Sequence, residues 1–276
     1  MRVKALLIAL SLGLMTTSTQ AQQRPLWELG LGVAGLHLPY YRGSNQGRGY
    51  LLPFPYIIYR GDFFQVDEDG LQGLLYRSPD VVVDLSLAGG VPVPSNHDGP
   101  RRGMPNLAPT VEFGPSLEFR LWNKENHYHD SLWLRMPLRA TYSVDGLNLG
   151  NEGWIFAPYL EYSKKPLLAR DMEYNLAIGP VFSDADYHDY FYGVDPAYAT
   201  ATRPAYKGRG GYSGSRITLT TQKTIGNLTL SAFVRLDNLN GAAFIDSPLV
   251  ERRSYHIAGF ALIWILGRAE TLVYSP

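Results

Sequence analysis

The sequence predicts an all-β fold: a single-domain antiparallel transmembrane β-barrel, exported to the outer membrane of a Gram-negative bacterium. Three observations predict it: an amino-terminal export signal, apolar residues that recur with period two, and connections that alternate between short and long. Only 18% of the 276 residues are charged, whereas about 25% is usual in soluble domains. Basic and acidic residues number 25 each, so the net charge gives no attraction toward nucleic acid. The absence of cysteine excludes disulfides, cysteine nucleophiles and thiolate metal sites.

Residues 1–21 have the pattern of a signal peptide. Arg2 and Lys4 precede an apolar run from Ala5 to Met15, and Thr19-Gln20-Ala21 is a small-x-small cleavage site. The apolar run is shorter than the about 20 residues that a membrane-spanning helix needs. We therefore expect cleavage after Ala21, which leaves residues 22–276 as the barrel.

The predicted strands have one apolar face and one polar face. In the first strand, Trp27, Leu29 and Leu31 alternate with Glu28 and Gly30. Many such segments are longer than the about 5–6 residues usual in soluble strands and match the roughly 9–11 residues of a tilted membrane strand. The apolar face is predicted to contact lipid, and the polar face to line an enclosed lumen.

About twelve strands are predicted, with ten as the alternative because the hairpin at Asp69-Gly70 has the weakest signal. The predicted strands lie near residues 26–38, 50–60, 62–68, 70–77, 80–91, 108–121, 130–143, 153–164, 171–182, 212–223, 227–238 and 253–265.

The predicted connections are mostly short after even-numbered strands and long after odd-numbered ones, as in outer-membrane barrels. The long connections are residues 39–49, 92–107, 144–152, 183–211 and 239–252. Aromatic residues near the strand ends suit the two interfacial girdles of such a barrel, namely Trp27, Tyr50, Tyr59, Trp122, Trp154, Tyr162, Tyr212 and Tyr255.

The same alternation points six acids and five bases into the lumen. They are Glu28, Asp84, Glu112, Glu118, Arg120, Arg135, Arg139, Glu161, Arg216, Arg235 and Asp237. A lumen filled by mutually paired charges is the favoured interpretation, and a weakly selective pore is the alternative. Arg135 and Arg139 lie two inward positions apart, so a clamp for an anionic group is a further hypothesis.

The sequence predicts no enzyme, no cofactor and no metal site. It contains no G-x-S-x-G nucleophile elbow, no H-E-x-x-H motif and no phosphate-binding loop. His127 and His129 are interpreted as solvated turn residues rather than metal ligands. His256 is predicted to face inward, with Ser254 on the same face of its strand, which is a weak indication of an outer-membrane hydrolase.

The segment from Ser183 to Pro196 is acidic and aromatic together. The spacing of Asp184, Asp186 and Asp189 loosely suggests calcium ligands, but the glycine and the final glutamate of an EF-hand loop are missing. The favoured interpretation is a folded loop packed into or over the barrel mouth. Its candidate residues are Asp184, Asp186, Tyr187, His188, Asp189, Tyr190, Tyr192 and Asp195.

Several short motifs occur in the order typical of one known family. They are residues 40–44 (YYRGS), 52–56 (LPFPY), 59–62 (YRGD), 69–71 (DGL), 113–115 (FGP), 184–195, 203–206 (RPAY) and 247–250 (SPLV). On these motifs the sequence resembles the MipA/OmpV family of outer-membrane proteins over nearly the whole mature chain. It departs from common barrel proteins at Tyr274-Ser275-Pro276, where such proteins often end on an aromatic residue.

The resemblance implies a non-enzymatic outer-membrane protein that scaffolds murein (peptidoglycan) remodelling. In the family, the scaffold is thought to link the lytic transglycosylase MltA to a bifunctional penicillin-binding murein synthase. Relatives known as surface antigens imply an adhesin as an alternative. A small pore or transporter is a second alternative, and an outer-membrane hydrolase a remote one.

Overall fold

The computed structural model describes residues 23–60, 64–67, 70–73, 75–78, 80–95, 99–122, 130–164 and 172–274. Within these residues the chain forms sixteen strands, one α-helix and one short 3₁₀ helix, Pro196–Tyr198. The strands are β1 Gln23–Pro25, β2 Trp27–Pro39, β3 Gly47–Arg60, β4 Phe64–Asp67, β5 Gly70–Gly73, β6 Tyr76–Arg77, β7 Val81–Gly90, β8 Thr110–Trp122, β9 Asp130–Asp145, β10 Asn148–Phe156, β11 Tyr159–Lys164, β12 Met172–Ser183, β13 Gly211–Ile225, β14 Leu228–Asn238, β15 Ser254–Arg268 and β16 Leu272–Tyr274. The helix α1 is Ala185–Tyr192 and follows β12.

The long strands expose their apolar residues and bury their polar ones. On β14, Val234 and Leu236 are exposed, whereas Thr229 and Asp237 on the other face are each 2% exposed. On β2, Leu31 is exposed and Glu28 is buried. This pattern is the reverse of a soluble sheet, and it suits a sheet whose outer face contacts lipid.

One antiparallel sheet contains all the strands except β1 and β16, in the order β5-β4-β3-β2-β15-β14-β13-β12-β10-β9-β8-β7-β6, with β11 beside β9 and β12. β2 pairs along its length with β15, from His37 opposite Ala258 to Glu28 opposite Arg268. The ring closes through the segment of β5 and β6, because β5 pairs with β4 and β6 pairs with β7. The Leu75 N–H also donates to the Val83 carbonyl at 2.8 Å. The predicted antiparallel β-barrel is confirmed.

Two predicted strands are each divided in the structure. β10 and β11 both lie between β9 and β12, so together they correspond to the strand predicted near 153–164. The break falls at Ala157-Pro158, where proline has no N–H to give to the ladder. β5 and β6 likewise divide the strand predicted at 70–77. The ladder between β1 and β16 was not predicted.

Two sequence predictions about the strand ends are wrong. Residues 144–152 are not a long loop, since β9 ends at Asp145 and β10 begins at Asn148. Gly146, with φ of 62°, is the first residue of the two-residue turn between them, and a hairpin turn with positive φ at that position favours glycine. Tyr255 does not belong to an aromatic girdle, because it is buried on the inner face of β15.

The largest hydrophobic core lies at the end of the barrel that carries the long connections. It joins Tyr41, Val93, Tyr192, Leu239, Phe244 and Leu249 from separate loops with Tyr255 and Ile257 of β15. A smaller apolar cluster covers the inner face of β3 and β15, through Tyr56, Ile58, Ile263 and Ile265. The folded loops therefore form a plug at the mouth, and the apolar cluster fills one side of the lumen.

Among the described residues, no helix has both the length and the apolar character needed to cross a membrane.

Candidate functional site

The plug is organised around α1. Asp184 caps the helix, since its Oδ1 accepts a hydrogen bond from the Tyr187 N–H at 2.9 Å. Asp189 Oδ1 accepts from the Gly208 N–H at 2.7 Å, which ties the helix to the return of the same loop. Asp195 Oδ1 in turn accepts from the Ala197 N–H at 2.8 Å and caps the 3₁₀ helix.

The acids of this segment therefore hold backbone N–H groups, a role that was not predicted for them. Asp186 lies exposed in the first turn of α1, where its charge favours the helix dipole. Among the described residues, no group of three or more histidines, cysteines, aspartates or glutamates could hold a metal ion.

An aromatic stack forms the centre of the plug. The ring of Tyr192 at the end of α1 stacks on Phe244, with centroids 3.7 Å apart and planes at 5°. His188 packs edge-on against Phe244 at 4.8 Å, and Tyr41 against Tyr192 at 6.1 Å. Three loops thus contribute to one rigid cluster.

Side-chain to backbone hydrogen bonds connect these loops to one another. Tyr192 Oη donates to the Arg42 carbonyl at 2.9 Å, and Tyr41 Oη donates to the Leu249 carbonyl at 2.8 Å. Ser247 Oγ donates to the Tyr192 carbonyl at 2.8 Å. Burial raises the pKa of the Tyr41 and Tyr192 hydroxyls, so both remain neutral donors at physiological pH.

Two arginines attach the 99–109 segment to the plug. Arg101 is buried and donates to the Phe191 carbonyl at 3.1 Å. Arg203 donates from one nitrogen to the carbonyls of Pro100 and Arg102, both at 2.8 Å. The mouth is therefore covered by interlocked loops.

His188 of α1 is fully buried against β13. Its Nε2 lies 2.7 Å from Ser213 Oγ, and its Nδ1 lies against the Arg209 carbonyl. Ser213 Oγ also lies 3.1 Å from Ser183 Oγ. Burial lowers the pKa of His188, with a smaller effect in the same direction from Arg42. Ser213 is also fully buried, so this histidine–serine pair joins the plug to the barrel and offers no accessible nucleophile.

The predicted inward acids and bases lie on the inner face of the sheet, and several form ion pairs. Arg135 bridges two strands, with Nη1 3.0 Å from Glu118 Oε1 and Nη2 3.0 Å from Glu161 Oε1. Arg139 Nε lies 3.1 Å from Glu112 Oε2, and its Nη1 donates to Ser86. Both arginines of the hypothetical anion clamp thus bind carboxylates of the chain itself.

A second cluster surrounds Asp237, whose side chain is fully buried. Arg235 Nε lies 2.8 Å from its Oδ2, and Arg42 and Arg216 lie 3.3 and 3.4 Å from its Oδ1. Arg42 was not among the predicted lumenal charges, because it belongs to a loop and has no strand alternation. The signal that identifies it is its place in the Tyr-Tyr-Arg-Gly-Ser motif at 40–44.

The three remaining predicted charges face the lumen at separate places. Glu28 is buried on β2 and lies opposite Arg268 in the sheet register. Asp84 is buried on β7, opposite Ser116. The Arg120 guanidinium lies 4.5 Å from the ring centroid of Trp133, a cation–π distance.

The lumen contains a cavity of about 550 Å³ on the side opposite the apolar cluster. Its polar lining comes from β7 to β14 and consists of Asp84, Ser86, Ser116, Glu118, Arg135, Arg139, Glu161, Glu173, Asn175, Arg216, Thr218, Thr220, Gln222 and Ser231. Ala157 and Val181, which also line it, pack against Tyr187 of α1. The plug is thus the closed end of this cavity.

The prediction that His256 faces inward is wrong. His256 and Ser254 are exposed on the outer face of β15, whereas Tyr255 and Ile257 point inward and join the plug core. His127 and His129 lie outside the described residues.

Comparison with known proteins identifies one protein family. The family model described as "MltA-interacting protein MipA" matches residues 31–266. No curated protein gives a significant match.

Three solved outer-membrane proteins illustrate the structural similarity. The COG4313 outer membrane channel from Pseudomonas putida F1 has a TM-score of 0.43 and 10% identity, over 90% of this chain and 98% of that one. A bacterial polysaccharide outer membrane secretin has a TM-score of 0.38 and 8% identity, over 87% and 99%. The Pseudomonas putida toluene transporter TodX has a TM-score of 0.29 and 9% identity, over 88% and 68%.

Proposed function

Since the chain belongs to the MipA family, we propose that this outer-membrane β-barrel is a non-enzymatic scaffold for enzymes that build and remodel murein. The observation that carries the proposal is the family match over residues 31–266. The proposed partners are a lytic transglycosylase and a penicillin-binding murein synthase. Export by a signal peptide cleaved after Ala21 is part of the same proposal.

The two ends of the barrel support a division of roles. Outer-membrane barrels place short turns in the periplasm and long loops outside, so the plug faces the exterior and the turn at Gly226-Asn227 faces murein. A stable protein interface buries about 800 Å² per partner. A partner would therefore contact several short turns together, and the loss of one turn would weaken binding rather than abolish it.

The buried state of the plug supports a role without catalysis. Ser213 and His188 form a histidine–serine contact in the described part of the chain, but both are fully buried. A hydrolase requires its nucleophile to reach a substrate.

Site-specific photocrosslinking in living cells tests the scaffold. A crosslinking residue at Lys164 or Asn227, both exposed at the short-turn end, is expected to capture murein enzymes. The same residue at Ala199, exposed in the long plug loop, is the matched control and is expected to capture none. Equal capture at both ends, or capture of no murein enzyme at the short-turn end, would refute the proposal.

A small pore is the second candidate, and the polar cavity of about 550 Å³ favours it. The test is conductance of the purified protein in planar bilayers. Steady ion conductance of the unmodified protein would favour the pore. The absence of conductance would count against transport through the lumen.

A further inference from the structure

The cluster around Asp237, which borders the lumenal cavity through Arg216, carries an excess of positive charge. Arg42, Arg216 and Arg235 converge on Asp237, whose side chain has no exposure. Three guanidinium groups and one carboxylate leave two positive charges uncompensated within this cluster. Excess charge is unfavourable where the surroundings are poor in water, so an anion beside the cluster would stabilise it.

Two further buried groups belong to the same cluster. Arg42 Nε and the Tyr255 hydroxyl are buried and make no hydrogen bond of good geometry with the described residues. These two side chains interact with each other, and neither is among the residues that line the cavity. Arg216 is therefore the member of the cluster that a ligand in the cavity reaches.

Arg216 connects this cluster to the cavity, because it belongs to both. Beyond it, the wall toward the short-turn end consists of uncharged hydrogen-bonding side chains. Thr218, Thr220 and Gln222 follow on β13, and Asn175 of β12 lies opposite Thr220. From Arg216 to Gln222 this wall extends about 20 Å at the usual rise of a strand.

We propose that the lumenal cavity binds a small, hydroxyl-rich anion of the sugar-acid or sugar-phosphate class. The anionic group lies on Arg216, and the hydroxyls contact the nearer part of the wall, at Thr218 and Thr220. A cavity of about 550 Å³ lies within the roughly 300–1,000 Å³ range of small-molecule sites. This ligand site goes beyond the scaffold role and does not depend on it.

The other charges of the cavity define the orientation and charge of the ligand. Glu118 and Glu161 both contact Arg135, and Arg139 contacts Glu112, so these arginines are already matched by acids. Asp84 of β7 and Glu173, which lies near the beginning of β12 at the short-turn end, are further acids of the lining. A ligand with one anionic group directed toward the plug is therefore favoured over a polyanion.

The ligand enters from the short-turn end. The opposite end is closed where Ala157 and Val181 of the cavity wall pack against Tyr187 of the plug. Glu173 and Gln222, which pair in the sheet register, extend the polar lining toward the short turns.

Isothermal titration calorimetry of the full-length protein in detergent tests this site with three probes: D-glucuronate, D-glucose 6-phosphate and D-glucose. At least one of the two anions is expected to bind roughly tenfold or more tightly than neutral glucose, since a hydrogen bond to a charged group contributes that much. The two anions separate a carboxylate ligand from a phosphate ligand. Binding is also expected to weaken as salt rises.

Arg216→Gln is expected to lower the affinity for the preferred anion roughly tenfold or more, while Asp237 keeps Arg42 and Arg235 as partners. Arg253→Gln removes an exposed arginine of the loop before β15 and is the matched control, with unchanged affinity expected. Thr220→Val tests the hydroxyl-binding wall separately and leaves every charge in place. If Arg216→Gln does not fold, Arg216→Lys keeps the charge and is expected to retain most of the binding.

Three results would overturn the proposal. These are equal affinity for glucose and both anions, no binding of either anion at millimolar concentration, and unchanged binding in both Arg216→Gln and Thr220→Val. Photocrosslinking to murein enzymes is expected to be the same in these variants and in the parent protein. The lumenal site and the scaffold can therefore fail independently.

Discussion

At the residue scale, Asp237 is the single carboxylate that faces three arginines at the junction of barrel and plug. Asp237→Asn leaves these cations in mutual repulsion, and we expect a loss of roughly 3–5 kcal/mol in the free energy of unfolding. Urea unfolding in detergent micelles, followed by tryptophan fluorescence, measures it. Asp246→Asn, at an exposed loop position, is the control and is expected to change stability by less than about 0.5 kcal/mol.

His188 makes the stability of the plug depend on pH. Burial lowers the pKa of His188 below its unfolded value of about 6.5. The hydrogen bond to the Arg209 carbonyl opposes this effect, Arg42 adds to it and Asp184 opposes it. The unfolded state therefore binds a proton that the folded state does not, and stability is expected to fall as the pH drops below about 6.5.

Thermal unfolding followed by near-UV circular dichroism at pH 7.5 and pH 5.0 tests this expectation. The parent protein is expected to unfold at a lower temperature at pH 5.0. In His188→Gln, which has no titrating ring, the difference between the two pH values is expected to shrink. An undiminished difference would show that other groups cause the pH dependence.

The alternation of apolar and polar residues predicts which side chains point into the lumen where one face of the strand is clearly polar. Glu118 and Arg135 lie on the inner face, as predicted, because the residues before and after each of them in the strand are apolar and point outward. His256 was not, since β15 carries large apolar residues on both faces and its phase could not be determined from sequence. Arg42 was missed because loop residues have no periodicity, and its partner Asp237 is distant in sequence.

At the element scale, α1 depends on its amino-terminal cap. Asp184→Ala removes the acceptor of the Tyr187 N–H, and we expect the plug to lose roughly 0.5–2 kcal/mol. Hydrogen exchange of the peptide covering α1 is the measurement, and faster exchange is expected. Asp184→Asn keeps an acceptor and is expected to remain close to the parent protein.

Asp186→Ala is the matched control, because Asp186 is exposed in the same helical turn and caps no N–H group. Equal effects of Asp184→Ala and Asp186→Ala would contradict the capping role. Gly153 allows the cap to approach β10, since a Cβ there would clash with Asp184 Oδ1.

Most long strands could be predicted because their period-two pattern extends beyond the length of a soluble strand. The division of one strand at Ala157-Pro158 depends on a missing proline N–H, which a hydropathy pattern does not record. The turn at Gly146 was missed because polar and glycine residues continue on both sides of it. The fold of the plug depends on contacts between loops that are distant in sequence. Local sequence could therefore predict that the segment is folded, but not the helix α1 or the loops that α1 contacts.

At the scale of the whole molecule, the plug is expected to keep the barrel closed to ions. We expect the parent protein to show little conductance in planar bilayers. Phe244→Ala removes the ring that stacks on Tyr192 and packs against His188, and it is expected to increase the frequency of channel openings. Phe260→Ala, at an exposed outward position of β15, is the control.

Openings equally frequent in the parent protein and in Phe244→Ala would contradict a closing role for the stack. Silence in both would contradict it as well and would assign closure to other loop contacts, such as those of Arg101 and Arg203.

The pairing of β2 with β15 has a consequence for biogenesis. These two strands are far apart in the chain, so their seam is a contact of high sequence separation with a large entropic cost of closure. Until residues 254–268 have been synthesised and delivered, β2 and β14 both present unpaired edges that invite aggregation. We therefore expect transit across the periplasm to depend on a chaperone that shields those edges, and the seam to be sealed only after β15 has arrived.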